Sequence, residues 1–203
     1  MRCLCAFLAA VTIAILLQGE VRAIATVLSE KDIERALKLA QEPEQKRAQF
    51  HAAYVVRVND ATVEHIEVVT EFRRYVLATE EQLRLGNWLF ARSVRDAREK
   101  LRPWRQRVSL VARLRFHPQN TLIGIPPYGI AIGGPDLAPL DVVRTPITAL
   151  LSGRPGDFNA PLMGATIEAV FNAVAVGQTV RPVSVSLAAR VVASVAIDFG
   201  RLE

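Results

Sequence analysis

Basic side chains crowd the stretch of this chain with the most chemistry to offer. Nine fall between Arg92 and Arg115 (Arg92, Arg95, Arg98, Lys100, Arg102, Arg105, Arg107, Arg113, Arg115), against two acids, Asp96 and Glu99. The chain as a whole has a formal charge of only +5, so positive charge is concentrated here and the remainder is net negative. Guanidinium groups present planar, paired donors that fit phosphate and carboxylate oxygens. On a helix, Arg95, Arg98 and Arg102 fall on one side; on a half-wet strand, Arg113 and Arg115 share the solvent face. With Arg105, these six are the candidate binding residues. The ligand they fit is an anionic polymer of the cell envelope or an anionic lipid surface.

Two features favour the plainer reading of an ordinary solvated surface. Asp96 with Lys100 and Arg95 with Glu99 have the i,i+4 spacing of helix ion pairs. Arginines also outnumber lysines 21 to 4 over the whole chain, a bias of composition rather than of this window. Nucleic acid is not an expected partner, because the aromatics do not interleave with the arginines as a stacking platform requires.

Other chemistry is sparse. The histidines are His51, His65 and His117. His65 and Glu67 flank Ile66, so on a strand they sit side by side, with Glu64 near them. No HExxH pairing supplies the three ligands of a catalytic zinc, and no metal is expected. There is no G-x-S-x-G elbow, and Ser152-Gly153 lacks the strand–turn–helix setting that exposes a nucleophile. Glu80-Glu81 stands at the start of an expected helix, where acids complement the dipole without catalysis. Gly124 to Gly134 lacks the Lys-Ser/Thr ending of a phosphate loop, and no cofactor is expected. Pro126-Pro127-Tyr128 reads as a rigid turn between edge strands, and Trp88 and Trp104 as core anchors rather than sugar platforms.

The two cysteines, Cys3 and Cys5, lie in an opening segment laid out as a secretory signal peptide. Arg2 precedes an apolar run from Cys3 to Leu17, and Ala23-Ile24-Ala25 offers a small-residue cleavage site. The run is shorter than the roughly 20 residues that span a bilayer, so cleavage is expected, leaving a cysteine-free mature chain with no membrane span. That places the protein in the periplasm or outside the cell.

The elements that must carry the arginines follow from hydrophobic periodicity. Ser29 caps a helix over 30–41 with Ile33, Ala36, Leu37 and Ala40 on one stripe, and Pro43 ends it. Tyr54 to Val58 is a short strand before the Asn59-Asp60 turn. Residues 63–77 alternate as a strand, with a new helix opening at the Thr79-x-x-Gln82 capping box. Ser93 caps a helix to Leu101, which buries Val94, Ala97, Leu101 and Trp104. Val108, Leu110, Ala112, Leu114 and Phe116 then alternate with Ser109, Val111, Arg113, Arg115 and His117 along a half-buried strand. Ile123–Ile125 and Ile130–Ile132 are expected edge strands, and 141–148, 166–172, 181–187 and 191–199 further strands. In the last of these Val191, Ala193, Val195, Ile197 and Phe199 face inward, after a hairpin at Ala188-Ala189-Arg190.

The expectation is a mainly β (α+β) fold: one β-sandwich-like domain over 26–203, with seven to nine short strands and two or three accessory helices. The helices concentrate in 26–105 and the strands in 106–203. The expected function is that of a non-catalytic binding or assembly module of a bacterial-type envelope, with an anionic envelope component or a protein as partner. The alternative is a periplasmic or secreted hydrolase of glycan or ester bonds.

Overall fold

A computed structural model describes residues 27–133, 137–148 and 161–203. The expected leader with Cys3 and Cys5, and Ser152-Gly153, lie outside these residues. The first helix, α1 (Glu30–Leu39), begins with a full capping box. The Ser29 hydroxyl accepts from the Asp32 N–H at 3.2 Å, and the Asp32 carboxylate accepts from the Ser29 N–H at 3.0 Å. Pro43 then opens a helix that the periodicity does not announce, α2 (Glu44–Ala52), none of whose residues is buried.

Eight strands follow among the described residues: β1 (Val55–Arg57), β2 (Val63–Val69), β3 (Arg107–Arg115), β4 (Tyr128–Ile132), β5 (Asp141–Thr148), β6 (Leu162–Asn172), β7 (Val180–Leu187) and β8 (Arg190–Asp198). The other helices are α3 (Glu71–Arg84), α4 (Val94–Leu101) and the single turn α5 (Ala173–Val176). None of the helices is long and apolar enough to cross a membrane.

The strands form two antiparallel sheets, ordered β1-β2-β3-β6-β5 and β4-β7-β8. Ile66, Leu110 and Ile167 of the first and Ile130, Val183 and Ile197 of the second share one apolar core. A second core joins α1, α3 and α4 through Ile33, Leu37, Phe72, Val76, Ala97 and Leu101. Phe50 packs against both; its ring lies 5.0 Å from Tyr54 and 6.0 Å from Phe72. Helices therefore outnumber the two or three expected, while the strand count and the mainly β core agree.

Three local expectations need correction. The strand expected over 63–77 stops at Val69, and α3 starts at Glu71 rather than near Thr79. Thr70 is the cap, accepting from the Arg73 N–H at 3.2 Å, whereas Thr79 is buried mid-helix and donates its hydroxyl to the Tyr75 carbonyl. Residues 123–125 are not a strand, and Ile123 is fully exposed. Val191 does not face inward and is 56% exposed. Val185 pairs with Ala193 but Ser186 pairs with Val191, so Val192 is an extra residue that rotates the strand's end and takes the inward place.

The β7–β8 hairpin turns through Ala188 at φ 52°, a left-handed conformation that costs an L-residue energy. Ala188→Gly is expected to raise the unfolding free energy by about 0.5–1 kcal/mol, because relief of the turn outweighs glycine's extra unfolded-state entropy. A urea titration reads it; no gain would mean that the turn holds no strain.

Candidate functional site

The helix that carries Arg95 and Arg98, with Arg102 at its C-cap, is short and sharply defined. The Ser93 hydroxyl accepts from the Asp96 N–H at 3.2 Å, and α4 buries Ala97 and Leu101, so Arg95, Arg98 and Arg102 face outward. Pro103 closes the helix in a 3-10 turn, Arg102–Trp104, and the backbone passes through Gln106 at φ 56° into β3. That kink aims the Gln106 N–H at Glu71 Oε2, 2.9 Å away.

The structure divides the six arginines rather than gathering them. Arg95 pairs with Asp96 at 3.4 Å and Arg102 with Glu99 at 3.5 Å, on the open face of α4. Neither i,i+4 pair expected there forms within 4.0 Å among the described residues. Arg113 and Arg115 lie toward the other end of β3, roughly 20 Å or more from its start at 3.3 Å per residue. They share Glu64 of β2, at 3.3 and 3.7 Å. His65 pairs with Glu67 instead, at 3.3 Å, as two neighbours on one strand face do.

Arg98 and Arg105 differ from the other four. No carboxylate comes within 4.0 Å of either among the described residues. They line one small cavity of about 340 Å³ with Leu28, Ser29, Glu30, Ile33, Glu71 and Tyr75. Burial raises the pKa of the Glu71 carboxyl, against the opposing pull of the Gln106 N–H and the Arg105 charge. The Tyr75 hydroxyl is also pushed up, first by burial and then by the nearby Glu71 charge, while Arg98 and Arg105 oppose this.

A second polar assembly escaped the sequence reading. Arg73, with its side chain 4% exposed, donates from Nη1 to the Val68 carbonyl at 2.8 Å and from Nη2 to Glu67 Oε2 at 2.8 Å. Its Nε donates to His51 Nδ1 at 3.4 Å, so Nδ1 is the acceptor nitrogen and Nε2–H faces the Glu80 carboxylate at 3.1 Å. Arg47 holds the same carboxylate at 3.1 Å. Arg47, Glu67, Arg73 and Glu80, with the His51 ring between them, thus join α2, α3 and β2. Beside it, Arg74 stacks 3.7 Å over Trp104 and donates to Ser109 Oγ and Glu168. No spacing signal marks these sets, since their members lie up to 94 residues apart.

Glu80 and Arg47 also wall a cleft of about 750 Å³, with Glu42, Glu81, Arg84 and Trp88. Trp88 is not the core anchor expected: it is 63% exposed, because α3 ends before it and leaves it on a turn. A third cavity, about 640 Å³, adjoins Arg115, His117, Asn120 and Tyr128. Tyr128 is buried there against Phe116, so the Pro126-Pro127 turn presents no exposed aromatic.

No family model, curated protein or solved structure matches this chain. What the protein does has to be argued from these side chains. The arrangement with unspent binding capacity is the Arg98–Arg105 cavity, where two guanidinium groups, a phenol and a carboxyl with a raised pKa converge.

Proposed function

We propose that the chain is an exported, non-catalytic binding module of the cell envelope that holds an anionic group of an envelope component between Arg98 and Arg105. One observation carries this reading: of the six candidate arginines, these two lack a carboxylate partner and share a cavity. A phosphate or carboxylate there gains charge-assisted hydrogen bonds from both guanidinium groups. Glu71 shares the cavity, and its burial works against its own negative charge there. The signal-peptide layout of residues 1–25 supports export, and an intact mass beginning near residue 26 in exported material is the expected result.

The hydrolase alternative draws less from the geometry. In the cleft beside Trp88, Glu42, Glu80 and Glu81 are held by Lys46, Arg47 and Arg84. The Arg84 hydrogen bond lowers the pKa of Glu81, the opposite of what a general acid needs.

The test is co-sedimentation with isolated envelope material at low and high salt. Reversing Arg98 and Arg105 to glutamate should weaken retention about tenfold or more, whereas reversing Arg113 and Arg115 should leave it nearly unchanged. Equal losses in the two variants would return the arginines to a diffuse surface charge.

Glu71 yields a separate expectation. Its folded-state pKa lies above the unfolded value of about 4.3, so the folded protein binds more protons and the ionised carboxylate opposes folding. Glu71→Gln keeps an acceptor for the Gln106 N–H and cannot ionise. The variant should be the more stable protein at pH 7, and the gap should close as pH falls through the folded pKa toward about 4. Urea midpoints across that range check it; a gap that widens in acid would reverse the sign.

A further inference from the structure

The turn after α3 has a use that the Arg98–Arg105 cavity does not explain, and the argument for it does not rest on that cavity. Leu85, Trp88 and Leu89 are 64%, 63% and 78% exposed, three large apolar side chains within five residues. The segment that displays them is built to hold still. Gly86, at φ 80°, ends α3 in a Schellman motif, with the Asn87 N–H donating to the Gln82 carbonyl at 2.8 Å and the Gly86 N–H to Leu83 at 3.0 Å. The Asn87 side chain donates to Gln82 Oε1 and accepts from the Phe90 N–H. Phe90 and Ala91 then bury themselves against the helical core.

Apolar side chains of this size displayed on an ordered turn cost solvation free energy in water unless something covers them. The surrounding charge indicates what does. Arg84 and Arg92 border the turn and are exposed, and Lys100 Nζ sits 5.2 Å from the Phe90 ring. Of the nearby acids, Glu81 is engaged by Arg84, Asp96 by Arg95 and Glu99 by Arg102. Leucines with an indole at the centre and cations around the edge match the interface of an anionic bilayer. There apolar groups enter the acyl boundary, the indole lies at headgroup depth and the cations meet lipid phosphates. We propose that residues 85–89 insert into the headgroup region of an anionic lipid bilayer.

The experiment uses the full chain carrying Trp104→Phe, which leaves Trp88 as its one indole and keeps a ring beneath Arg74. Trp88 emission is followed on vesicles of phosphatidylcholine and on equimolar phosphatidylcholine–phosphatidylglycerol, with and without brominated acyl chains. The expected result is a blue shift and bromine quenching on the anionic vesicles, reversed by salt. Leu85→Ser with Leu89→Ser should weaken partitioning about tenfold or more. Arg92→Glu with Lys100→Glu should weaken it comparably while circular dichroism remains that of the parent. The indole reports on the turn itself, so vesicle binding through residues 1–25 leaves it unshifted and counts against the proposal. Equal shifts on neutral vesicles overturn it too, as does a shift produced by soluble envelope glycan in place of lipid.

Discussion

Arg73→Met is expected to lower the unfolding free energy by about 2–4 kcal/mol, the range for breaking a buried ion pair, reduced because Glu67 is 32% exposed. The methionine fills the aliphatic volume but supplies no donor. It leaves the Val68 carbonyl, the Glu67 carboxylate and His51 Nδ1 without their shared partner, and the first is deep in the fold. Adding Glu67→Gln to Arg73→Met removes the orphaned charge and should recover part of the loss. Arg73→Lys should recover little, because an ammonium cannot reach three acceptors with a planar fork. Urea unfolding of the parent, Arg73→Met, Glu67→Gln, the double variant and Arg73→Lys measures this. Additive losses from Arg73→Met and Glu67→Gln would show that the pair is uncoupled.

Gly164→Ala should cost about 3 kcal/mol or more, at the upper end of what overpacking does. A Cβ at this position would fall on the Leu114 carbonyl oxygen, a backbone atom that no rotamer change can move aside. Retreat is blocked on either side: β3 lies between β2 and β6, and β6 between β3 and β5. The control is Gly124→Ala, where the added methyl meets nothing within 4 Å. Equal stabilities for the two variants would mean that the β3–β6 ladder gives way easily. A loss confined to Gly164 would mark that crossing as the tightest backbone approach of the large sheet.

What could be read from the residues divides along a physical line. β3 was legible because one face is buried throughout, which writes a period of two into Val108, Leu110, Ala112 and Leu114. Of the other face only Arg107, Arg113 and Arg115 are exposed, and Ser109 is covered. α1 and α4 were legible from Ser29 and Ser93 with one apolar stripe each. The start of α3 was not, because Ile66, Val68, Thr70 and Phe72 alternate while Phe72, Tyr75, Val76 and Thr79 repeat helically. The Thr70 cap and the packing of Phe72, Tyr75 and Val76 with Ile33 and Leu37 decide for the helix. α2 left no trace in the period because Phe50 is its one apolar contact with the cores and none of its residues is fully buried.

The arginine window was visible as a charge run, but its division was not. Glu64, which pairs with Arg113, and Glu71, which shares a cavity with Arg105, each lie more than thirty residues from that arginine along the chain and are brought near by β2 and α3. The Arg73 assembly was equally hidden. A buried guanidinium has the same letter as a solvated one, and its acceptors include a carbonyl oxygen that every residue has.

Residues 70–106 leave the large sheet after β2 and return directly beside it in β3, where Val69 pairs with Ser109. The sheet thus sees only the two ends of this excursion, which holds Arg98, Arg105 and the exposed turn at Trp88. Closing a longer loop costs only about 0.6 kcal/mol for each doubling of its length. Residues added between Leu85 and Leu89 would therefore leave strand register untouched, while one residue added within β3 would turn its apolar face to water. The fold in this sense keeps a rigid chassis apart from a replaceable attachment. Relatives of this chain would be expected to differ most in the length and chemistry of that one excursion.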